Sequence, residues 1–549
     1  MRWRIKISQV DAARAGRKRV ACGCAALLAA LCVTAGVHAE SLPVTSEVTP
    51  AVADNFSIFE FRVLGNTQLP VRVIEEAVYP LLGEQRSFAT VEQARDALVA
   101  AYRTAGLGTV LVDIPEQSVD DGIVRLQVTE GRIEKVRISG ARYYSERRIL
   151  ARLPSVKAGE VPKLTALQAQ LTALAGEARD REITPTLKPG STPGTLAVEF
   201  GVKDHLPLHA SLEANNRYTS DTTQTRLVAS ISYENMFQRA DTLGLQYQTA
   251  PQKMSEVQVG ALSYLGHTNR DDLTWSGYAI RSKSDVAAIG TLSVIGNGTI
   301  VGLRINHSFG ISSTGAQTLS FGPDWKDFGE DIRLSTNVSA RTPIHYLLWT
   351  AQHGVAYQVE KFDVQNQLGV SLAIRGLATD DKAFAYKRSG AHAGFAYLRD
   401  NSSATWRIGR GWALGARLGL QYSEQPLISN EQLALGGVDS VRGYLDAEAL
   451  VDSGVAATLE LRSPTAHLRS VAVSGMVFYD RGVGMMQQPL SSEISSGSVR
   501  TDLSGWGVGM RFAVGQALDA MIDWSTPVVR GTRTRAGDGR IDFNLKLTF

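Results

Sequence analysis

Acid–base, nucleophilic or metal chemistry needs suitable side chains within reach of one another, and candidates for it are few in this 549-residue chain. The nine histidines (His38, His205, His209, His267, His307, His345, His353, His392 and His467) stand singly, as polar loop groups do, rather than as a ligand set. The adjacent acids Asp271-Asp272 and Asp380-Asp381 fall in turn-like stretches, where carboxylates are ordinarily solvated. No G-x-S-x-G, H-E-x-x-H or phosphate-cradling glycine loop occurs. All three cysteines, Cys22, Cys24 and Cys32, sit in the first 32 residues. Without that segment the chain has no thiol, which excludes a disulfide scaffold, a thiolate metal site and a cysteine nucleophile together. The expectation is a chain that is not an enzyme, with no metal and no cofactor. Two runs stand out instead: Leu435-Gly436-Gly437-Val438-Asp439-Ser440-Val441-Arg442-Gly443-Tyr444 and, about 35 residues later, Phe478-Tyr479-Asp480-Arg481-Gly482. What they do depends on the elements that carry them.

The chain is 44% hydrophobic and 20% charged, too apolar for a disordered polymer. Its first residues carry Arg2, Arg4, Lys6, Arg14, Arg17, Lys18 and Arg19 against the single acid Asp11. An apolar run from Val20 to Val37 follows, and then Val37-His38-Ala39 before Glu40. Basic region, short apolar run and small-residue end predict a signal peptide over 1–39, cleaved between Ala39 and Glu40. Without seven of its 57 bases and one of its 54 acids, the mature chain has net charge −3. The basic balance belongs to the leader and does not point to nucleic acid. Residues 40–56 lack periodicity and read as a linker. Strand, two helices and two strands are expected over 57–133, with helices near Pro70–Tyr79 and Thr90–Thr104, and the same order repeats over 134–204. Sheet edges in such modules can accept an extended peptide as an added strand. Periodicity alone leaves this and a plain spacer role both open.

From about residue 205 the helical period gives way to strict alternation. Leu206, Leu208, Ala210, Leu212 and Ala214 alternate with polar neighbours, and the chain ends on Ile541, Phe543, Leu545, Leu547 and Phe549 against Asp542, Asn544, Lys546 and Thr548. No later stretch is apolar enough to cross a bilayer as a helix, so an exported membrane protein of this kind must be a closed barrel. Residues 205–549 divide into sixteen strands at about 22 residues per strand and connection, with fourteen to eighteen compatible with the period. The apolar row would face lipid and the polar row a wet lumen.

The two runs, the module order and the terminal Phe549 resemble the two-partner secretion outer-membrane transporters of the hemolysin secretion/activation type, in the superfamily that includes BamA. Ile114-Pro115-Glu116-Gln117, Thr129-Glu130-Gly131 and Leu459-Glu460-Leu461-Arg462-Ser463-Pro464 echo it. The resemblance implies two periplasmic POTRA modules and an outer-membrane β-barrel. It implies an inward loop at about 430–454, carrying Val441-Arg442-Gly443-Tyr444, with Arg442 meeting Asp480 of the Phe478, Asp480, Gly482 motif on the lumen wall. Alternation along 471–480 agrees, because it puts Asp480 opposite the apolar row. The alternative is that both are solvated lumen charges. Tyr444 is expected beside Phe478. The resemblance also implies an unfolded secreted exoprotein as partner, bound by the POTRA modules and exported without ATP. Lipid contact is implied too, and barrel-assembly machinery that reads Phe543, Leu545, Leu547 and Phe549 as an assembly signal. A BamA-like assembly factor is the alternative function. Many relatives carry an N-terminal plug helix, but here Pro43 and Pro50 interrupt the short 40–56. Either the inward loop alone closes this barrel or no plug exists.

Overall fold

A computed structural model describes residues 55–119, 121–220, 222–284, 286–289, 292–312, 314–335, 338–489 and 499–549. The expected leader, with its expected Ala39–Glu40 cleavage point, and nearly all of 40–56 lie outside the described residues. The chain forms two compact units that divide between Leu206 and Pro207.

In the first unit, strand Glu60–Leu64 runs parallel to Ile123–Thr129, which pairs antiparallel with Leu111–Asp113. Val124, Leu126 and Val128 alternate onto the face covered by helices Val71–Val78 and Phe88–Thr104, whose Val91, Ala94, Leu98 and Tyr102 complete the core. A further strand pair, Phe56–Ile58 with Gly83–Arg86, was not anticipated. Its Gly-Glu-Gln-Arg half is short and polar, so it carries no period to read. The second module repeats the plan: Arg132–Ser139 is parallel to Thr195–Asp204 and Arg181–Pro189 antiparallel to it, under helices Glu146–Ala151 and Leu164–Glu177.

The two modules are joined tightly. The buried Glu130 carboxylate accepts the backbone N–H groups of Thr67 (2.6 Å) and Gln68 (2.9 Å) and the Thr67 hydroxyl. Arg132 bridges Thr67 Oγ1 (3.0 Å) and the Gly159 carbonyl (3.1 Å). Leu164 N–H donates to the Gly106 carbonyl at 2.8 Å, and Val161 lies in the first module's core.

The second unit is a closed antiparallel barrel of sixteen strands, from Leu208–Asn215 to Arg540–Thr548. The short Ala466–Leu468 continues Ser453–Arg462 along the same neighbour, Val471–Met485. Closure pairs the last strand with the first, Asn544 opposite Asn215 and Thr548 opposite Ser211. Every backbone ladder therefore has two neighbours, the condition for a sheet in hydrocarbon. The outward row is apolar and exposed: Leu212, Ile231, Leu245, Leu459, Val477, Tyr479, Ile541 and Phe543 among others. Asp480, Asp523 and Asp542, from the opposite rows, are buried inside.

One expectation fails. The lumen is not uniformly polar, because Val259, Ile280, Ile300, Ile344, Leu348 and Ala373 turn inward and pack with Phe384, Phe395, Leu427 and Ile428. These last four come from two connections that fold into the barrel: Thr379–Phe395, with helix Asp381–Lys387, and Ser423–Asp452. A side chain that meets an inserted loop need not be hydrophilic, so alternation breaks there. Asp380 and Asp381 are likewise not merely solvated. Asp380 caps that helix by accepting Ala383 N–H (3.0 Å), and Asp381 accepts Ala393 N–H (2.8 Å).

Candidate functional site

The chain enters the barrel at Leu208, and successive connections alternate between that rim and the opposite one. The connection 423–452, between strands Trp412–Tyr422 and Ser453–Arg462, leaves from the opposite rim and turns into the lumen. Its residues Leu435, Val441, Tyr444 and Val451 form a small apolar cluster with Leu503 of the wall.

Arg442 is 1% exposed. Its Nε donates to Asp480 Oδ2 at 2.7 Å and its Nη2 to Oδ1 at 2.9 Å, a bidentate fork, while its backbone N–H reaches the same carboxylate at 3.0 Å. Glu460 lies 3.0 Å from Nη2 and Asp523 3.7 Å from Nη1. The guanidinium carbon sits 3.4 Å from the centre of the Phe478 ring, a cation–π contact. Three strands thus aim carboxylates at one loop cation, and Arg417, Arg462 and Arg511 share the surplus negative charge through Glu460 and Asp523.

Alternation places these groups. Asp480 lies opposite Thr458 and Gly505, Phe478 opposite Glu460 and Gly507, and Asp523 opposite Gly509, all on the inner row. The run Gly505-Trp506-Gly507-Val508-Gly509 therefore shows the lumen only glycines. A Cβ on Gly505 would lie 2.3 Å from the Arg442 carbonyl oxygen, and one on Gly482 would lie 2.7 Å from Val441. The wall is carved to admit the loop tip. Gly443, at φ +96°, turns the chain against the backbone of Thr526 and Pro527. That turn sends Tyr444 away from Phe478, contrary to expectation. Its ring joins the Leu435, Val441, Val451 and Leu503 cluster, and its hydroxyl lies 2.6 Å from the Val529 carbonyl and 3.0 Å from that of Ser504. Phe478 is covered by Arg442 instead.

Three further buried carboxylates hold the loop, and none of them stood out in the sequence. Glu431 pairs with Lys326 at 2.6 Å and accepts the hydroxyls of Tyr397 (2.8 Å) and Tyr346. Asp452 takes both arms of Arg388 (2.5 and 2.7 Å) and the backbone N–H groups of Leu427 and Gln487. Glu448 accepts Thr534 N–H (2.9 Å) and its hydroxyl (2.8 Å). Glu460 and Asp523 were within reach of the alternation argument, since each is an acid between outward apolar neighbours on its strand. The loop acids have no period to betray them. At the chain's end, Phe543, Leu545, Leu547 and Phe549 all face outward, remote from the lumen cluster.

Comparison with known proteins follows the same lines. The first module, over residues 56–131, matches the POTRA domain of ShlB type. The outer membrane transporter CdiB of Dickeya dadantii is 25% identical over 198 residues, so the chain matches only about a third (35%) of that relative's length, and 35% of its own. Among solved structures, CdiB from Escherichia coli superposes with a TM-score of 0.59 at 16% identity, covering 92% of this chain and 93% of that one. BamA from Haemophilus ducreyi, lacking POTRA domains 1–3, gives 0.57 at 13%, covering 90% and 100%. At these identities the likeness shows a shared fold. Residues 194–512, more than half the chain, match the haemolysin secretion/activation protein family ShlB/FhaC/HecB, and it is to this family of outer-membrane barrel proteins that the chain belongs.

Proposed function

We propose that this protein is the outer-membrane transporter of a two-partner secretion pair. In this reading 1–39 is a cleaved leader, the modules 57–133 and 134–204 lie in the periplasm and capture an unfolded exoprotein through its N-terminal region, and the barrel 205–549 conducts that chain outward. Folding of the cargo outside, rather than ATP, makes return unfavourable. The observation that carries the reading is the buried Arg442, tied to Asp480, Glu460 and Asp523, which holds a long loop inside a closed barrel that follows two small modules. A conduit for a polypeptide needs an occupant of its lumen that can be held in one place and moved. A permanently filled barrel needs no such concentration of charge, which brings a desolvation cost that hydrophobic packing avoids.

This reading expects an exoprotein encoded beside this chain, and the test is its export. Deletion should leave that one protein in the cell while other outer-membrane proteins assemble normally. Arg442→Ala should insert as a folded barrel yet reduce release of the exoprotein about tenfold or more. General loss of outer-membrane proteins on deletion would instead identify an assembly factor, and normal release by a correctly inserted Arg442→Ala barrel would remove Arg442 from the mechanism.

A further inference from the structure

The outer face of the barrel carries a groove of about 580 Å³ that neither the loop nor the modules explain. Its floor is made of small outward residues brought level by register: Ala229 and Gly260 lie on either side of Tyr247, and Ala279 lies one row further from the rim. A Cβ placed on Gly260 would meet nothing within 4 Å. Tyr247, Leu245 and Leu262, each between 44 and 50% exposed, stand as walls. In lipid such a hollow must be filled, because a wall without partner atoms forfeits its dispersion contacts.

The groove ends at a cation. Arg281 stands outward in the same row as Gly260 and Thr299, to whose hydroxyl it donates. Among the described residues it has no carboxylate partner. That row continues through Asp327 and His345, whereas the next row inward reads Val301, Trp325 and Leu347, so the apolar band stops here. Lys283, two residues on and also outward, adds a second positive charge. An apolar hollow, closed by a planar fork at the edge of the hydrocarbon, is complementary to a lipid that carries a phosphate on its head group.

We infer that this face binds the phosphorylated glycolipid of the outer leaflet, a lipid A-type molecule, with an acyl chain along Ala229, Gly260 and Ala279 and a phosphate on Arg281. The choice of leaflet rests on the outer-membrane reading above, because the groove opens at the rim opposite the one where the chain enters. Bound lipid would hold one sector of the barrel wall against bending while the lumen is in use.

The experiment uses the full chain purified in mild detergent, with diphosphoryl lipid A as probe, phosphatidylglycerol as competitor and native mass spectrometry as readout. One lipid A per barrel should survive, Arg281→Gln should weaken retention about tenfold, and Gly260→Leu should abolish it by filling the floor. Arg407→Gln, an exposed cation at the other rim, should change nothing. Ala229→Leu serves should Gly260→Leu fail to migrate as a folded, heat-modifiable barrel. Equal retention by wild type, Arg281→Gln and a floor-filling variant overturns the site. Displacement of lipid A by equimolar phosphatidylglycerol overturns the choice of lipid. A barrel absent from the outer-membrane fraction would instead refute the transporter reading, and fractionation scores that without reference to lipid.

Discussion

At Arg442 a guanidinium has exchanged water for three carboxylates and an aromatic face, and the exchange is reciprocal. Removing the cation leaves Asp480 buried without its charge partner, a change that costs about 3–5 kcal/mol at buried pairs. Arg442→Ala should therefore free the loop. With no cysteine after residue 32, a lone Ser440→Cys reports on that directly. Its labelling by a membrane-impermeant maleimide should accelerate at least tenfold in Arg442→Ala, and less in Arg442→Lys, since an ammonium keeps the charge but loses the bidentate fork. Unchanged labelling would show that the other anchors suffice. A different carboxylate governs the second module. Hydrogen bonds from the Ser191 and Thr195 hydroxyls and the Ser191 backbone N–H pull Glu134 down to about 2. A lowered folded value means that stability from this group is fully present above the ordinary glutamate range, about 4.3, and is lost as pH falls towards 2. Hydrogen exchange in the 189–195 turn should accordingly match that of Glu134→Gln near pH 2 and be slower than in the variant above pH 5.

Among the elements, the strand Arg500–Val514 has the sharpest constraint. Gly505→Ala drives a methyl into the Arg442 carbonyl, and overpacking of this kind costs about 1–3 kcal/mol. The variant should lose its folded mobility in SDS gels at a lower temperature than wild type. Gly376→Ala, whose Cβ would meet nothing within 4 Å, should not. The joint between the modules is similarly exposed to one change. Glu130→Ala strands the N–H groups of Thr67 and Gln68, a loss of about 1–3 kcal/mol, and should make trypsin cut between the modules more readily. These elements also show what the sequence could and could not reveal. Ile541 to Phe549 were readable as a barrel strand because lipid demands an apolar side chain at every second position. Asp480 was readable as a lumen residue for the same reason, and family resemblance supplied its partner. Ile344 and Leu348 obey the opposite rule, since the surface they meet arrives from loops dozens of residues away. Glu431 draws on Lys326, Tyr346 and Tyr397, and spacing along the chain cannot reveal a cluster so dispersed.

Taken whole, two connections among the described residues fold into the lumen rather than one, and they share an apolar core around Phe384, Phe395 and Leu427. Phe384→Ala should remove about 3–5 kcal/mol from that core. In planar bilayers it should raise single-channel conductance several-fold even with Arg442 intact, and wild-type conductance in the variant would show that the helix only lines the pore. The wall itself is uneven. Strands Gly315–Ser335 and Val338–Gln358 have 21 residues each, whereas about 9–11 cross a bilayer, and they stay paired from Gly315 opposite Tyr357 to Ser335 opposite Val338. From the polar row at Asp327, eight more residues carry the ribbon about 27 Å further. Under the transporter reading proposed above, which turns this rim out of the cell, a mast of that height is the part that antibodies or bacteriophage would encounter first.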